Sequence, residues 1–198
     1  MHPVLRDAAK GELPSWANAG EKRREHMARV AKLMRDWAKA RGEPEVEVTR
    51  WLAAGYLHDA LRDESHEVLR SQVDPVFRDL PGNILHGPGV ARKLIEDGVG
   101  DVELIHAIRF HTLGSAEFEK LGFALYAADF LEPGRKMKEQ WRTERRRRAP
   151  TELKGVVTEI LAARIGYLLE KGRPLHPSTT DFWNKISEGR SWVSASEY

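Results

Sequence analysis

Cysteine is absent from the 198 residues. That excludes disulfides, thiolate metal sites and thiol nucleophiles. A metal on this chain must sit on imidazole and carboxylate, a donor set that suits iron, manganese, zinc, cobalt or nickel. Long apolar runs are lacking as well, and none approaches the roughly 20 residues needed to cross a bilayer. The opening MHPVLRDAAKGELP has no apolar core of the secretory kind, so a cytoplasmic protein without membrane attachment is expected. Excess charge of one sign is missing: 32 Lys and Arg face 30 Asp and Glu, a net +2, too little to steer the whole molecule toward nucleic acid. Strand-like alternation is missing too, and no Asn-Gly or Asp-Gly joins two β-like runs.

Helical periodicity is what remains. His26, Val30, Leu33 and Trp37 recur at steps of four, three and four, predicting a helix over 21–41 that Gly42 and Pro44 stop. A second helix is predicted over 45–62, with Val48, Trp51, Leu52, Gly55 and Tyr56 on its apolar side. A short one follows over 65–73. The Pro- and Gly-punctuated DPVFRDLPGNILHGPG reads as loop containing His86, with the next helix over 90–97. Asp101 is a candidate N-cap for a helix to His111, and Ser115 for the one after it. Thr151 to Lys171 reads as a long amphipathic helix, and a short helix precedes a frayed end. The expectation is all-α: one compact domain of six to eight helices, with residues 1–20 as lead-in, 21–190 as the domain and 191–198 as tail. Trp37, Trp51 and Trp183 fall on apolar faces and are expected in the core.

Of the eight histidines, His86 lies in the Pro- and Gly-punctuated segment and the other seven divide into two groups. His2 and His66 lie in terminal or polar surroundings, His176 sits in a Pro-flanked turn, and His106 is five residues before His111, on another helix face. These read as structural. His26 is on the core side of its helix, where an unpaired imidazole is costly. His58-Asp59 closes the apolar run WLAAGYL, His111 follows Ile105, Ile108 and Phe110, and Asp129 stands in FALYAADFLEP. A carboxylate in apolar company needs a partner, and a metal is an effective one. Polar groups of this kind, scattered along the chain, suggest one shared site; spacing alone does not prove it.

The order His26, His58-Asp59, Asp129 resembles the H…HD…D signature of the HD phosphohydrolase superfamily. The blocks GYLHDALRD, ILHGPGVARKL, AIRFHTLG, YAADFLEPGRK and YLLEKGRPLHPST, in that order from about Arg24 to Trp183, resemble the YqeK family of symmetrical dinucleoside tetraphosphate hydrolases. The resemblance implies that His26, His58, Asp59 and Asp129 hold one divalent metal. It implies that His86 and His111 hold a second, with Asp59 bridging. Iron is the first expectation for both, with manganese, cobalt, nickel or zinc as alternatives. Asp59, Arg62 and Asp63 become candidate catalytic residues. Arg109, Thr112 and Gly114, with Glu132 and Arg135 of the EPGR block, become candidates on the substrate side. The implied chemistry is in-line attack of a metal-activated hydroxide on a polyphosphate, cutting diadenosine tetraphosphate into two ADP.

Two features depart from the family pattern. Arg62 stands where superfamily members often carry lysine, which keeps the charge and changes its geometry. Residues 134–148 hold eight Arg or Lys against two Glu, read as a solvated loop or as an electrostatic lip for polyphosphate or RNA over 135–148. Three functions stay open at this point: a dinucleoside polyphosphate hydrolase, another nucleotide phosphohydrolase such as a nucleotidase, and a metal-containing nucleotide- or RNA-binding regulator. A homodimer is compatible with each.

Overall fold

The computed structural model describes residues 1–135 and 137–188; the expected tail at 191–198 lies outside them. Among the described residues all regular structure is helical: α1 (Pro3–Ala8), α2 (Glu21–Ala40), α3 (Glu45–Leu57), α4 (His66–Gln72), α5 (His86–Glu96), α6 (Val102–Phe110), α7 (Lys120–Leu131), α8 (Glu139–Glu170) and α9 (Pro177–Ile186), with two 3₁₀ turns between α4 and α5. None of these helices is long and apolar enough to cross a membrane.

Two helices form the centre. Along α3, Val48, Trp51, Ala53, Ala54, Gly55 and Leu57 are buried, and along α7 burial takes in Leu121, Gly122, Ala124, Leu125, Tyr126, Ala127, Ala128 and Leu131. A helix apolar on nearly every side must lie inside. The one-sided helix α2 packs on α3 through Met27, Val30, Ala31, Met34 and Trp37. A turn of four residues joins the two, with Gly42 at φ +73°, so they run as an antiparallel hairpin. Gly55 is what lets them close: a Cβ there would stand 2.4 Å from the Cα of Ala31. That close approach sets the end of α3 against the start of α2. The lead-in is not passive, because α1 buries Leu5 and Ala8 in the same core. Trp51 and Trp37 are core residues as expected, and Trp183 packs on the core's edge.

Caps fix several boundaries. Asp101 Oδ1 accepts from the Leu104 amide at 3.1 Å and pairs through both oxygens with Arg50, tying α6 to α3. Ser65 caps α4, while His2 and His176 cap α1 and α9 with their Nδ1 atoms. The expected cap at Ser115 is not one; α7 starts at Lys120, and the Ser115 hydroxyl instead accepts from the Glu117 amide within a turn.

Three other boundaries differ from expectation. The second helix ends at Leu57, five residues early. No glycine or proline marks the stop: the His58 ring bonds back to Gly55 O at 2.8 Å, and Asn18 N donates to Ala60 O at 2.7 Å, so tertiary partners replace the helical ladder. The HGPG segment is the first turn of α5, not loop. Proline is tolerated in a first turn, where its missing N–H has no partner anyway, and Gly87 is needed because a Cβ would stand 2.8 Å from Ile108 O. The Arg-rich segment from Glu139 onward is helical as well. It continues through Pro150 into the long C-terminal helix, with a kink at Glu152. Proline leaves the carbonyl of Arg146 without its usual donor, and the Trp37 indole N–H takes that carbonyl at 3.1 Å. Arg41 bonds the carbonyl of Pro150 itself at 2.7 Å.

Candidate metal centre

Helix ends converge beside the α2–α3 crossing. The second turn of α2 supplies His26. The stop of α3 supplies His58 and Asp59, the start of α5 His86, the stop of α6 His111, and the last turn of α7 Asp129. The four histidines and Asp59 are buried; Asp129 is partly exposed. All six are neighbours. His26 Nε2 lies 3.2 Å from Asp129 Oδ1 and 3.6 Å from Asp59 Oδ2. His58 Nε2 is 3.6 Å from Asp59 Oδ2. On the other oxygen, Asp59 Oδ1 is 3.0 Å from His86 Nε2 and 3.6 Å from His111 Nε2. The candidate ligand atoms of His26, His58 and Asp129 fall within 4.8 Å of one another, as do those of His58, Asp59 and His111.

The donor chemistry fits a cation. His58 and His111 use Nδ1 against backbone carbonyls, Gly55 O at 2.8 Å and Ile108 O at 2.7 Å. Each therefore carries its proton on Nδ1 and turns an Nε2 lone pair inward. The buried Nε2 atoms of His26 and His58 have no hydrogen-bond partner. Burial pushes the His58 imidazole down to about 4 and lowers His86 too, so both are neutral lone-pair donors at physiological pH. Burial opposes ionisation of Asp59 and Asp129. The facing imidazoles overcome it and hold both carboxyls well below the usual range. Burial would also lower His26, yet the carboxylates of Asp129 and Glu132 that face its two ring nitrogens raise it to about 9.

The remaining candidates occupy different places. Glu132 is buried behind His26: it faces Nδ1 at 3.4 Å and accepts from Arg29 at 2.6 Å and from the Gly134 amide at 2.7 Å. Against its burial, His26 and Arg29 draw its carboxyl down to about 2. From here Glu132 can orient His26, and it also borders the open cleft beside the cluster. Arg135 pairs with Asp129 Oδ1 at 2.8 Å. Together with Arg23, His26, Asp63 and Glu132 it lines an open cleft of about 680 Å³. Asp63 is exposed on the rim, one oxygen taken by the Gly20 amide at 2.8 Å. Arg62 is half-buried and, among the described residues, pairs with no carboxylate: Asp63 is engaged by Gly20, and Glu64 by Asn18 and Ser65. After burial and the neighbouring histidine, its charge adds to the lowering at His86. Thr112 Oγ1 is 3.2 Å from His111 Nε2. The Arg109 guanidinium lies 5.9 Å from the centre of the Phe77 ring. Gly114, at φ +84°, packs on Phe182, which a Cβ would meet at 2.3 Å. His106 is bonded to Ser115 at 2.9 Å.

Sequence reasoning missed Arg23, which donates to Asp59 Oδ2 at 2.6 Å, and Arg29 on Glu132. The signal was there: both stand three residues from His26, one helical turn away on its own face.

An all-helical fold whose helix ends gather histidine and aspartate around one buried point defines the class, and the HD domain model matches residues 23–159. The chain belongs to the HD domain family of metal-dependent phosphohydrolases. Among its relatives is the symmetrical bis(5'-nucleosyl)-tetraphosphatase of Halalkalibacterium halodurans, 30% identical over 176 residues, which span 84% of this chain and 89% of that one. The enzyme of the same name from Bacillus subtilis is 26% identical over 162 residues, 82% of this chain and 77% of its own. The crystal structure of an HD superfamily hydrolase from Clostridium acetobutylicum, described as involved in NAD metabolism, superposes with a TM-score of 0.76 at 25% identity, covering 87% of this chain and 93% of that one.

Proposed function

We propose that the protein hydrolyses dinucleoside tetraphosphates symmetrically, diadenosine tetraphosphate and water giving two ADP. His26, His58, Asp59 and Asp129 would hold one divalent cation, and His86 and His111 a second, with Asp59 shared. Iron is the first candidate, and manganese, cobalt, nickel or zinc are chemically admissible. The observation that carries this reading is the pair of buried, partnerless Nε2 atoms on His26 and His58 beside two ionised carboxylates, together with relatives named for this activity. Bound divalent cations supply charge neutralisation for the phosphates and activation of water.

The chain's own residues do the rest. Gly55 and Ile108 carbonyls keep His58 and His111 in the tautomer with Nε2 free. Glu132, itself fixed by Arg29, orients His26. Arg62, with no acidic partner among the described residues, is available to a phosphate oxygen, for which a guanidinium offers planar donors. Arg109 and Arg135 are the further cations near the cluster. The Arg-rich start of α8 supports an RNA partner less well. Arg145, Arg146 and Arg148 are already paired with Glu159, Glu139 and Glu144. The test is incubation of metal-analysed protein with diadenosine tetraphosphate and each metal, followed by separation of products. ADP alone is expected. AMP with ATP would overturn the symmetrical cut, and phosphate released from mononucleotides would point to a nucleotidase.

A further inference from the structure

The two halves of the candidate metal centre are built unequally. One side offers His26 Nε2, His58 Nε2, Asp129 Oδ1 and Asp59 Oδ2, four donors that include two carboxylates. The outer nitrogen of each ring there is seated, His58 Nδ1 on Gly55 O at 2.8 Å and His26 Nδ1 against Glu132 Oε1 at 3.4 Å. Glu132 is in turn fixed by Arg29 and the Gly134 amide. The other side offers His86 Nε2, His111 Nε2 and Asp59 Oδ1, three donors whose one carboxylate is shared. His111 Nδ1 is seated on Ile108 O at 2.7 Å. His86 Nδ1 is buried and, among the described residues, has no hydrogen-bond partner. Ligand number and ligand charge set the affinity of a cation site. The outer partner of a ligating imidazole fixes its direction and raises its basicity, and losing one typically costs about 10–100-fold in metal affinity. Arg23 and Arg135 pair with Asp59 Oδ2 and Asp129 Oδ1, but a carboxylate has about four acceptor sites, so both keep lone pairs for a cation.

We infer that the two positions differ in affinity and fill in order: the side of His26, His58 and Asp129 first and tightly, the side of His86 and His111 second and exchangeably, with turnover following occupancy of the second side. The inference rests on the two-metal reading above and adds to it a rank between the positions. Free divalent metal then controls the enzyme, because at low supply only the first side is occupied and the polyphosphate stays intact.

The test dialyses the chelator-stripped full chain against graded manganese(II). Bound metal is counted, and cleavage of diadenosine tetraphosphate is followed in the same samples. The parent should show two classes of site with Kd values about tenfold or more apart, and turnover should rise with the weaker class. His86→Ala should remove the weaker class and leave the tighter Kd within about threefold; His86→Asn replaces it if the alanine variant does not fold. Glu132→Gln should raise the tighter Kd about tenfold or more and so narrow the gap. Two classes of equal affinity, loss of both metals from a folded His86 variant, or turnover complete at the first metal would overturn the ranking and leave the two-metal centre standing. A parent that fills in two unequal steps but never cuts the substrate would uphold the order of filling and overturn the activity. A parent that takes up one metal, with or without His86, overturns both the ranking and the second position.

Discussion

Gly55→Ala separates the packing of α2 on α3 from the intrinsic preferences of the helix. In an exposed helix interior, replacing Gly by Ala gains roughly 0.8–1.0 kcal/mol. Here the new Cβ would stand 2.4 Å from Ala31 Cα and 2.7 Å from Ala31 N. These are backbone atoms that no rotamer change can move. Overpacking of a tight core costs typically about 1–3 kcal/mol, and a backbone clash belongs at the upper end. The net expectation for metal-free protein is a loss of about 1–2 kcal/mol, a drop in Tm of roughly 2–8 °C for a chain this size. The effect on the metal centre is larger in proportion. Relief of the clash requires the helices to part by on the order of 1 Å, while metal–ligand distances tolerate about 0.2 Å. The His26 and His58 rings, 5.5 Å apart, sit on the two parting helices. Metal affinity should therefore fall at least tenfold. Adding Ala31→Gly removes only the third and farthest contact, at 2.9 Å, and should not restore it. Thermal unfolding of chelated protein gives the stability, and competition with a metal indicator gives the affinity. Metal-free Gly55→Ala as stable as the parent, with unchanged metal affinity, would refute the close-approach argument.

Asp59→Ala should abolish turnover and metal retention while His106→Ala leaves both near parental values, because one carboxylate touches four imidazoles and His106 faces Ser115; equal mild losses on assay would contradict the split. Arg62→Ala should lower kcat/KM about tenfold to a hundredfold at full metal loading, the equivalent of about 1.5–3 kcal/mol for one charged hydrogen bond, with Arg62→Lys affected less; unchanged turnover would leave phosphate binding to the other arginines. Asp101→Asn keeps an N-cap oxygen but loses the charge paired with Arg50, so it should cost about 1.5 kcal/mol or more at pH 7. The Asp101 carboxyl is depressed in the fold, where Arg50 outweighs burial. Its contribution is therefore present above the unfolded value near 3.9 and disappears as pH falls through the folded value. Denaturation curves for parent and variant should converge in acid; a gap that stays constant to pH 2 would sink that account.

Residue spacing made the helices legible, and with them the inward faces of His26 and Asp129. What spacing could not convey was decided by tertiary partners. The early stop at Leu57 comes from the His58 ring turning back on Gly55 and from Asn18 reaching over from another segment. Both ends of that contact look ordinary in the sequence. His86 was assigned to a loop because proline and glycine read as breakers. In place, Pro88 is harmless in a first turn and Gly87 is there for clearance. The candidate ligands were found through motif resemblance, and their neighbours Arg23 and Arg29 were overlooked although they share the face of His26. The packing of Gly114 on Phe182 and the seat of Glu132 behind His26 are tertiary contacts that the motifs do not convey.

The proline in α8 has a further consequence. Its orphaned carbonyl is claimed by Trp37 of α2 and its own carbonyl by Arg41 at the end of that helix, so the longest helix is pinned at its bend like a rod clamped at one point. The arm before the clamp carries Arg145 and Arg148, and both reach across the bend to Glu159 on the arm after it. Changes at those two arginines therefore act on both arms, while the clamp holds the angle between them. Replacing Trp37 by phenylalanine would keep most of the packing, yet it would remove one of the two hydrogen bonds that hold the joint and leave Arg41 alone on it.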